Sequence, residues 1–468
     1  MQSSIQLIKK AIVNFPDAIK GKQEDFTSGS LRKAIYMLSI PMILEMLMES
    51  VFAVVDILYV SRVSINAVAT IGLTESVITL VYAVAIGLSM AATAVVARRI
   101  GEKDNSGANT AAVQVIILGI FVSLIVSIIG ILFPKDILRL MGGETDLIEE
   151  GFGYTKVLFG GNITIMLLFI INAVFRGAGN ASIAMRALIL SNGLNIILDP
   201  IFIFGFGPIP SFGVEGAAIA TTIGRGTAVC FQLAILFRGS GKLKINLRDF
   251  VLKFQVMWKL IKVSLGGIGQ FLIGTSSWVF LMRIMSEFGS EVLAGYTIAI
   301  RVLMFTLMPA WGLSNAAATL VGQNLGAEQP TRAERAVWKT GKYNTLFLGL
   351  VSLIYFIWSP TIISLFNDQE EVVHYGTLCL RILAAGYLFY GFGMVVIQAF
   401  NGAGDTKTPT YINFFCFWLF QLPLAYLAAI SLDFGPVGVF WAINLAEVLI
   451  AICGYIWFKK GRWKLTQV

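Results

Sequence analysis

Long apolar stretches alternate with short polar connections along this chain, and twelve of the stretches can each span about 30 Å of hydrocarbon as a helix. They fall near residues 35–60, 67–97, 110–133, 153–175, 182–206, 214–238, 256–286, 292–322, 339–366, 376–400, 407–431 and 435–458. The pattern predicts an all-α, multi-pass integral membrane protein whose immediate surroundings are the lipid bilayer. Composition agrees: 57% of the 468 residues are hydrophobic, only 13% are charged, and the mean hydropathy is +0.79. That leaves too little polar surface for a water-soluble globule of this size.

Charge then gives an orientation. With the N-terminus placed in the cytoplasm, most of the 35 basic residues fall on that side, among them Arg32, Lys33, Arg98, Arg99, Lys103, Arg176, Arg186, Arg332, Arg335, Lys459 and Lys460. The opposite loops carry acids instead, including Asp136, Glu144, Asp146, Glu370 and Glu371. This bias predicts both termini on the cytoplasmic face of the cell (inner) membrane. The net charge of +8 is thereby accounted for by topology, and no nucleic-acid partner is expected. Cys230, Cys379, Cys416 and Cys453 all lie inside expected spans, so no structural disulfide is expected.

The chain also repeats itself at an offset of 225 residues. Gly87-Leu88-Ser89 and the Ala-rich run to Gly101 match Gly312-Leu313-Ser314 and the run to Gly326; Phe175-Arg176-Gly177-Ala178-Gly179 matches Phe400-Asn401-Gly402-Ala403-Gly404. A duplicated six-helix unit is expected to give two pseudo-symmetric lobes about an axis along the membrane normal. The expected organisation is a tail over 1–30 with an interfacial helix at Ile5–Ile19, a first lobe over 31–237, a cytoplasmic linker over 238–255, a second lobe over 256–458 and a tail over 459–468. The basic stretch from Arg238 to Lys262 is partly amphipathic and is expected to form a surface helix.

Candidate chemistry comes from acids in apolar surroundings. A carboxylate near the centre of a membrane helix costs about 2.5–3.5 kcal/mol on insertion scales, so Asp56 and Asp199 require a partner or a function. Glu45, Glu49 and Asp56 share one stripe of the first helix, which Pro41 predisposes to bend. On the fifth span Asn195 and Asp199 form an i, i+4 pair, and Pro200 follows at once. Asn172 and Tyr154 lie on the fourth span, and Thr221 and Thr222 on the sixth. These oxygen donors suit Na⁺ or H⁺ and suit a transition metal poorly. The Asn and Thr alone are better read as hydrogen-bonding glue between helices, whereas an ionised Asp56 or Asp199 costs more than glue requires.

The second lobe reads differently. Leu281 and Gly274 stand where Asp56 and Glu49 have their counterparts, so coupling is expected in the first lobe alone. Gln270, Trp278, Tyr296, Trp311 and Tyr390 suggest an aromatic, amide-bearing cavity for flat or cationic organic molecules.

On these motifs, together with Asp56-Ile57-Leu58-Tyr59-Val60-Ser61-Arg62, Gly322-Gln323-Asn324-Leu325-Gly326 and Asn195…Asp199-Pro200, the chain resembles the multidrug and toxic compound extrusion (MATE) family over nearly its whole length. It looks most like the DinF-like branch, whose cation site lies in the N-terminal lobe. The resemblance implies a V-shaped, monomeric, alternating-access antiporter that expels amphipathic, often cationic drugs in exchange for Na⁺ or H⁺, with no other cofactor. It carries the family's cation-site residues onto Asp56, Asn172, Asn195, Asp199 and Thr221, its outer tyrosine onto Tyr154 and its bending proline onto Pro41. Glu49 departs from the branch, where an amide is common; Gly274 and Tyr390 replace the acids of another branch. The alternative reading is a flippase for lipids or lipid-linked oligosaccharides on the same two-lobe plan. No nucleophile–base or metal-ligand pattern points to an enzyme.

Overall fold

The computed structural model describes residues 14–22, 24–60, 62–239 and 241–468; within these, the side chains of Ala53, Val54, Asp56, Ile57, Ile65 and Leu247 lie outside the description. The first half builds α1 (Leu31–Val60), α2 (Ile65–Gly101), α3 (Asn105–Leu132), α4 (Thr145–Gly177), α5 (Ala181–Phe204) and α6 (Val214–Arg238). The second builds α7 (Phe254–Met285), α8 (Ser290–Gly326), α9 (Pro330–Ser364), the two-part α10 (Glu370–Ala385 and Tyr387–Ala403), α11 (Lys407–Ser431) and α12 (Pro436–Lys459). Among the described residues eleven helices are long and apolar enough to cross a bilayer, and the bent pair of α10 supplies a twelfth.

Local chemistry sets the helix ends. The Ser64 hydroxyl accepts from the Ala67 amide at 2.9 Å to start α2, and the Asp104 carboxylate accepts from the Gly107 amide at 2.8 Å to start α3. Gly179 and Gly404 both turn the chain at φ +87°, a left-handed geometry that a side chain resists, at positions exactly one repeat apart in the numbering. The breaks in the fourth and tenth spans are repeat-related too. Gly161 interrupts α4 and Gly386 interrupts α10, the latter with a bend of 55°.

Helices in lipid gain little from apolar contact with one another, so close approach and hydrogen bonds hold them together. Stripes such as Phe121, Leu124, Ile128 and Leu132 on α3, and Leu346, Leu350, Leu353 and Ile357 on α9, stay exposed as a lipid-facing surface would. The seam between lobes is made of α1 and α2 against α7 and α8. Ile35, Leu38 and Met42 of α1 join Leu313, Ala316 and Leu320 of α8 in one core cluster. Gly101 presses on the backbone carbonyl of Gln323, and Gly326 presses on that of Arg98, leaving no room for a β-carbon at either place. The two contacts are mirror assignments of the repeat: residue 98 stands to 326 as 323 stands to 101.

The segments that flank α1 and α12 fasten onto neighbouring helices beside this seam. Arg98 donates to the Thr466 carbonyl at 2.7 Å, Arg332 donates to the Ser28 carbonyl at 2.7 Å, and Lys464 pairs with Glu334 at 2.6 Å. Trp463, fully buried, stacks on Phe458 with ring centroids 4.7 Å apart.

Two expectations need correction. The linker is not a surface helix: between Gly239 and Lys253 the described residues form one short turn, Leu247–Asp249, because Gly239 and Gly241 both adopt positive φ and Asn246 is tied to Asp249. Instead Leu243 and Ile245 are buried against the lobe. Arg176, expected with the cytoplasmic charges, turns inward to a buried acid. The expected helix at Ile5–Ile19 lies largely outside the described residues; 14–20 are helical.

Candidate functional site

The fifth and sixth helices build a compact polar knot. One helical turn separates Asn195 from Asp199, so both project from the same face of α5 toward α6. The Asn195 amide donates to Asp199 Oδ1 at 3.1 Å and to Thr221 Oγ1 of α6 at 3.1 Å. Asp199 is wholly buried, and Asn195 nearly so. Asn195 Oδ1 is buried with no hydrogen-bond partner among the described residues. Pro200 leaves the carbonyl one turn earlier without its usual amide donor, which loosens α5 beside the acid.

A second network lies on α1 and α4. Arg176 Nη1 donates to Glu45 Oε1 at 2.6 Å, and Asn172 Nδ2 donates to the same oxygen at 3.2 Å. Gln232 of α6 donates in turn to Asn172 Oδ1. Asn172 thus belongs to the Glu45 network, while Asn195, Asp199 and Thr221 form their own. Arg225 Nη1 donates to the Tyr82 hydroxyl at 3.1 Å, with its guanidinium 5.7 Å from the Phe52 ring centre. Glu45, Glu49, Asn172, Arg176 and Arg225 line the first-lobe side of a cavity of about 270 Å³, called here the first-lobe cavity, whose other wall includes Phe271, Asn315 and Gln398 of the second lobe. Tyr154 is buried on α4, and α1 runs as one helix through Pro41. Asp56 lies on α1, but its side chain is outside the described residues.

The second lobe holds a larger cavity of about 520 Å³. Gln270, Trp278, Trp311 and Tyr390 line it, as does the reciprocal pair Gln270–Asn401, whose amides exchange bonds of 2.9 and 3.1 Å. Tyr296 sits one layer behind, fully buried between Trp278 (5.9 Å) and Phe440 (6.1 Å). Met90, Met308 and Trp311 belong to the walls of both cavities.

The MatE family model matches this chain twice, over residues 41–201 and 268–427. The chain belongs to the MatE family of multidrug and toxic compound extrusion transporters. Its relatives include the probable multidrug resistance protein NorM of Thermotoga maritima, 26% identical over 94% of each chain. The multidrug export protein MepA of Staphylococcus aureus is 23% identical, over 94% of this chain and 96% of its own. Among solved structures, an outward-facing conformation of a multidrug resistance MATE family transporter superposes with a TM-score of 0.88, at 28% identity, over 94% of this chain and 98% of the other.

Within this MATE fold, the residues that sequence reasoning missed are informative. Arg176 sits four residues from Asn172 on the same helix face, a spacing that brings both to Glu45. Gln232 carried no signal, being one amide on an otherwise ordinary face. Glu447 does carry a signal in the sequence, interrupting the apolar run of α12 as Asp199 interrupts α5. It lines the second-lobe cavity beside Tyr390, so that lobe does contain an acid.

Proposed function

We propose that the protein is a secondary active antiporter in the inner membrane, both termini cytoplasmic, that exports amphipathic and cationic organic compounds in exchange for Na⁺ or H⁺. The observation that carries this reading is the buried Asp199–Asn195–Thr221 knot. A carboxylate withdrawn from water at the cost of burial, an unpartnered amide oxygen and a hydroxyl make a ligand set for a small hard cation. Asp56, on the neighbouring α1, supplies a second carboxylate in this scheme. Glu45 and Glu49 support the site from the same stripe, and Pro41 and Pro200 mark where α1 and α5 yield as the charge is neutralised. The organic cargo occupies the cavities described above.

A monovalent cation moving down about 100 mV releases about 2.3 kcal/mol, which sustains roughly a 50-fold cargo gradient at one-to-one electrogenic exchange. The names of NorM and MepA support the drug-export side of the proposal. The flippase alternative is less well supported, since a pyrophosphate headgroup calls for uncommitted arginines and Arg176 is neutralised by Glu45. Ethidium efflux from vesicles under separately imposed sodium and proton gradients tests the reading. Efflux driven by one gradient and lost in both Asp56→Asn and Asp199→Asn is the expected result; wild-type efflux in both variants overturns it.

A further inference from the structure

The two lobes place opposite charges at equivalent positions. Gly213 and Gly435 open α6 and α12 at φ +56° and +60°, and Gly216 and Gly438, three residues on, abut the backbones of Phe202 and Ala428. Farther along, Thr222 and Asn444 sit against the paired break glycines, Gly161 and Gly386. The repeat offset over these helices is therefore 222. On that register Arg225 corresponds to Glu447.

The consequence is electrostatic. Among the described residues that line the first-lobe cavity there are two acids, Glu45 and Glu49, and two arginines, Arg176 and Arg225. Among the described residues Glu447 is the one charged group lining the second-lobe cavity, and none of the described Lys or Arg side chains forms an ion pair with it. Its neighbour Tyr390 offers a hydroxyl, not a countercharge. A carboxyl group set this deep in the protein gains more from a cationic visitor than one in bulk water would, because solvent and salt screen the pair less. The walls suit the same visitor: Trp278, Trp311 and Tyr387 offer aromatic surface, and Met304, Met308 and Met394 adapt to varied shapes. On the far side α11 widens into a π-helical run, Phe414–Gln421, that turns Phe417 and Gln421 toward the cavity; such turns recur at functional sites.

We propose that Glu447 is the anchor for organic cations in this protein, holding an ammonium, iminium or phosphonium centre in the second-lobe cavity while aromatic and thioether walls take its hydrophobic body. The inference rests on the transport reading for its purpose, assigning the cargo's charge to α12 and the coupling ion to α5 and α6. About 520 Å³ is within the range of drug-sized sites, so one flat cation fits at a time.

Equilibrium binding to the purified full-length protein in detergent, with no ion gradient, separates this from transport. Tritiated tetraphenylphosphonium and ethidium are the cationic probes, and an uncharged aromatic molecule of similar size is the control. Glu447→Gln is expected to weaken both cations by about tenfold while moving the uncharged probe less than about twofold, and Glu447→Asp to recover most of the loss. Met394→Lys, which adds a positive charge to the same cavity while leaving residue 447 a glutamate, is expected to weaken cations likewise. That second variant decides the matter if Glu447→Gln does not remain monodisperse. Unchanged cation affinity in Glu447→Gln, or in Met394→Lys, overturns the proposal, as does an equal loss for charged and uncharged probes. A protein that binds cations through Glu447 yet moves none under any gradient keeps this inference and overturns the antiport reading.

Discussion

Arg176 reaches across from α4 to donate a 2.6 Å hydrogen bond to Glu45 on α1, whose side chain is only 1% exposed. A pair this deep is costly to break on one side, because the remaining charge is left buried without compensation. Glu45→Ala is therefore expected to lower unfolding stability in detergent by about 3–5 kcal/mol. The double variant Glu45→Gln with Arg176→Gln should recover most of that loss. Thermal unfolding followed by tryptophan fluorescence checks both, and equal instability of the single and double variants would contradict the pairing.

The Asn195–Asp199 bond makes a separate prediction. Asparagine at 199 keeps the volume and removes the charge, so the fold should survive while ion-driven ethidium efflux falls by about tenfold or more. Asn195→Ala removes the amide that spans Asp199 and Thr221, and its efflux should fall in the same direction. Vesicle efflux normalised to the amount of monodisperse protein is the measurement.

At the seam, Gly101 and Gly326 meet the opposite lobe's backbone with no space for a side chain. Leucine at either position should cost about 1–3 kcal/mol through overpacking and drive the two helix ends apart. Because the contacts are related by the repeat, the two variants should behave alike. Spin labels at the exposed positions Asn105 and Thr331 would show a lengthened distance in both; an unchanged distance would show that the seam absorbs the side chain elsewhere.

Outside the membrane, Asp25 closes a turn by accepting from the Thr27 hydroxyl at 2.6 Å and the Thr27 amide at 2.9 Å. The Thr27 hydroxyl is the main reason the Asp25 carboxyl titrates below its ordinary range; the Thr27 amide, the Ser28 hydroxyl and nearby Lys242 act in the same sense, and partial burial opposes them. A depressed folded value means the turn's contribution is complete above the unfolded carboxylate pKa and is lost as pH falls through the folded one. Acidification should thus release the segment around residue 25, and Thr27→Val should move that release to higher pH. Trypsin cleavage at Lys20 and Lys22 against pH reports it; identical profiles for the two proteins would rule out the hydroxyl's role.

Much of this architecture was legible in the chain because membrane helices announce themselves by length and hydropathy, and because the Gly87/Gly312 and Gly177/Gly402 motifs expose the repeat. The breaks at Gly161 and Gly386 were not legible: both lie inside continuous apolar runs, and only tertiary contact with Thr222 and Asn444 explains why small residues stand there. In the first lobe, spacing alone joined Asn195 to Asp199, since i, i+4 neighbours share a face. It could not decide whether Asn172 would face Asp199 or Glu45, because that depends on how α4 is rotated against α1. Glu447 was readable by the rule applied to Asp199, but the register of the repeat shifts from 225 to 222 before α12, so its match to Arg225 was hidden.

Met90, Met308 and Trp311 stand in the walls of both chambers, which makes them a shared, deformable partition. A bulky guest leaning on that partition from one side takes room from the other. On the proposed reading, a slender guest would leave the neighbouring compartment as it is, and a broad one would shrink it.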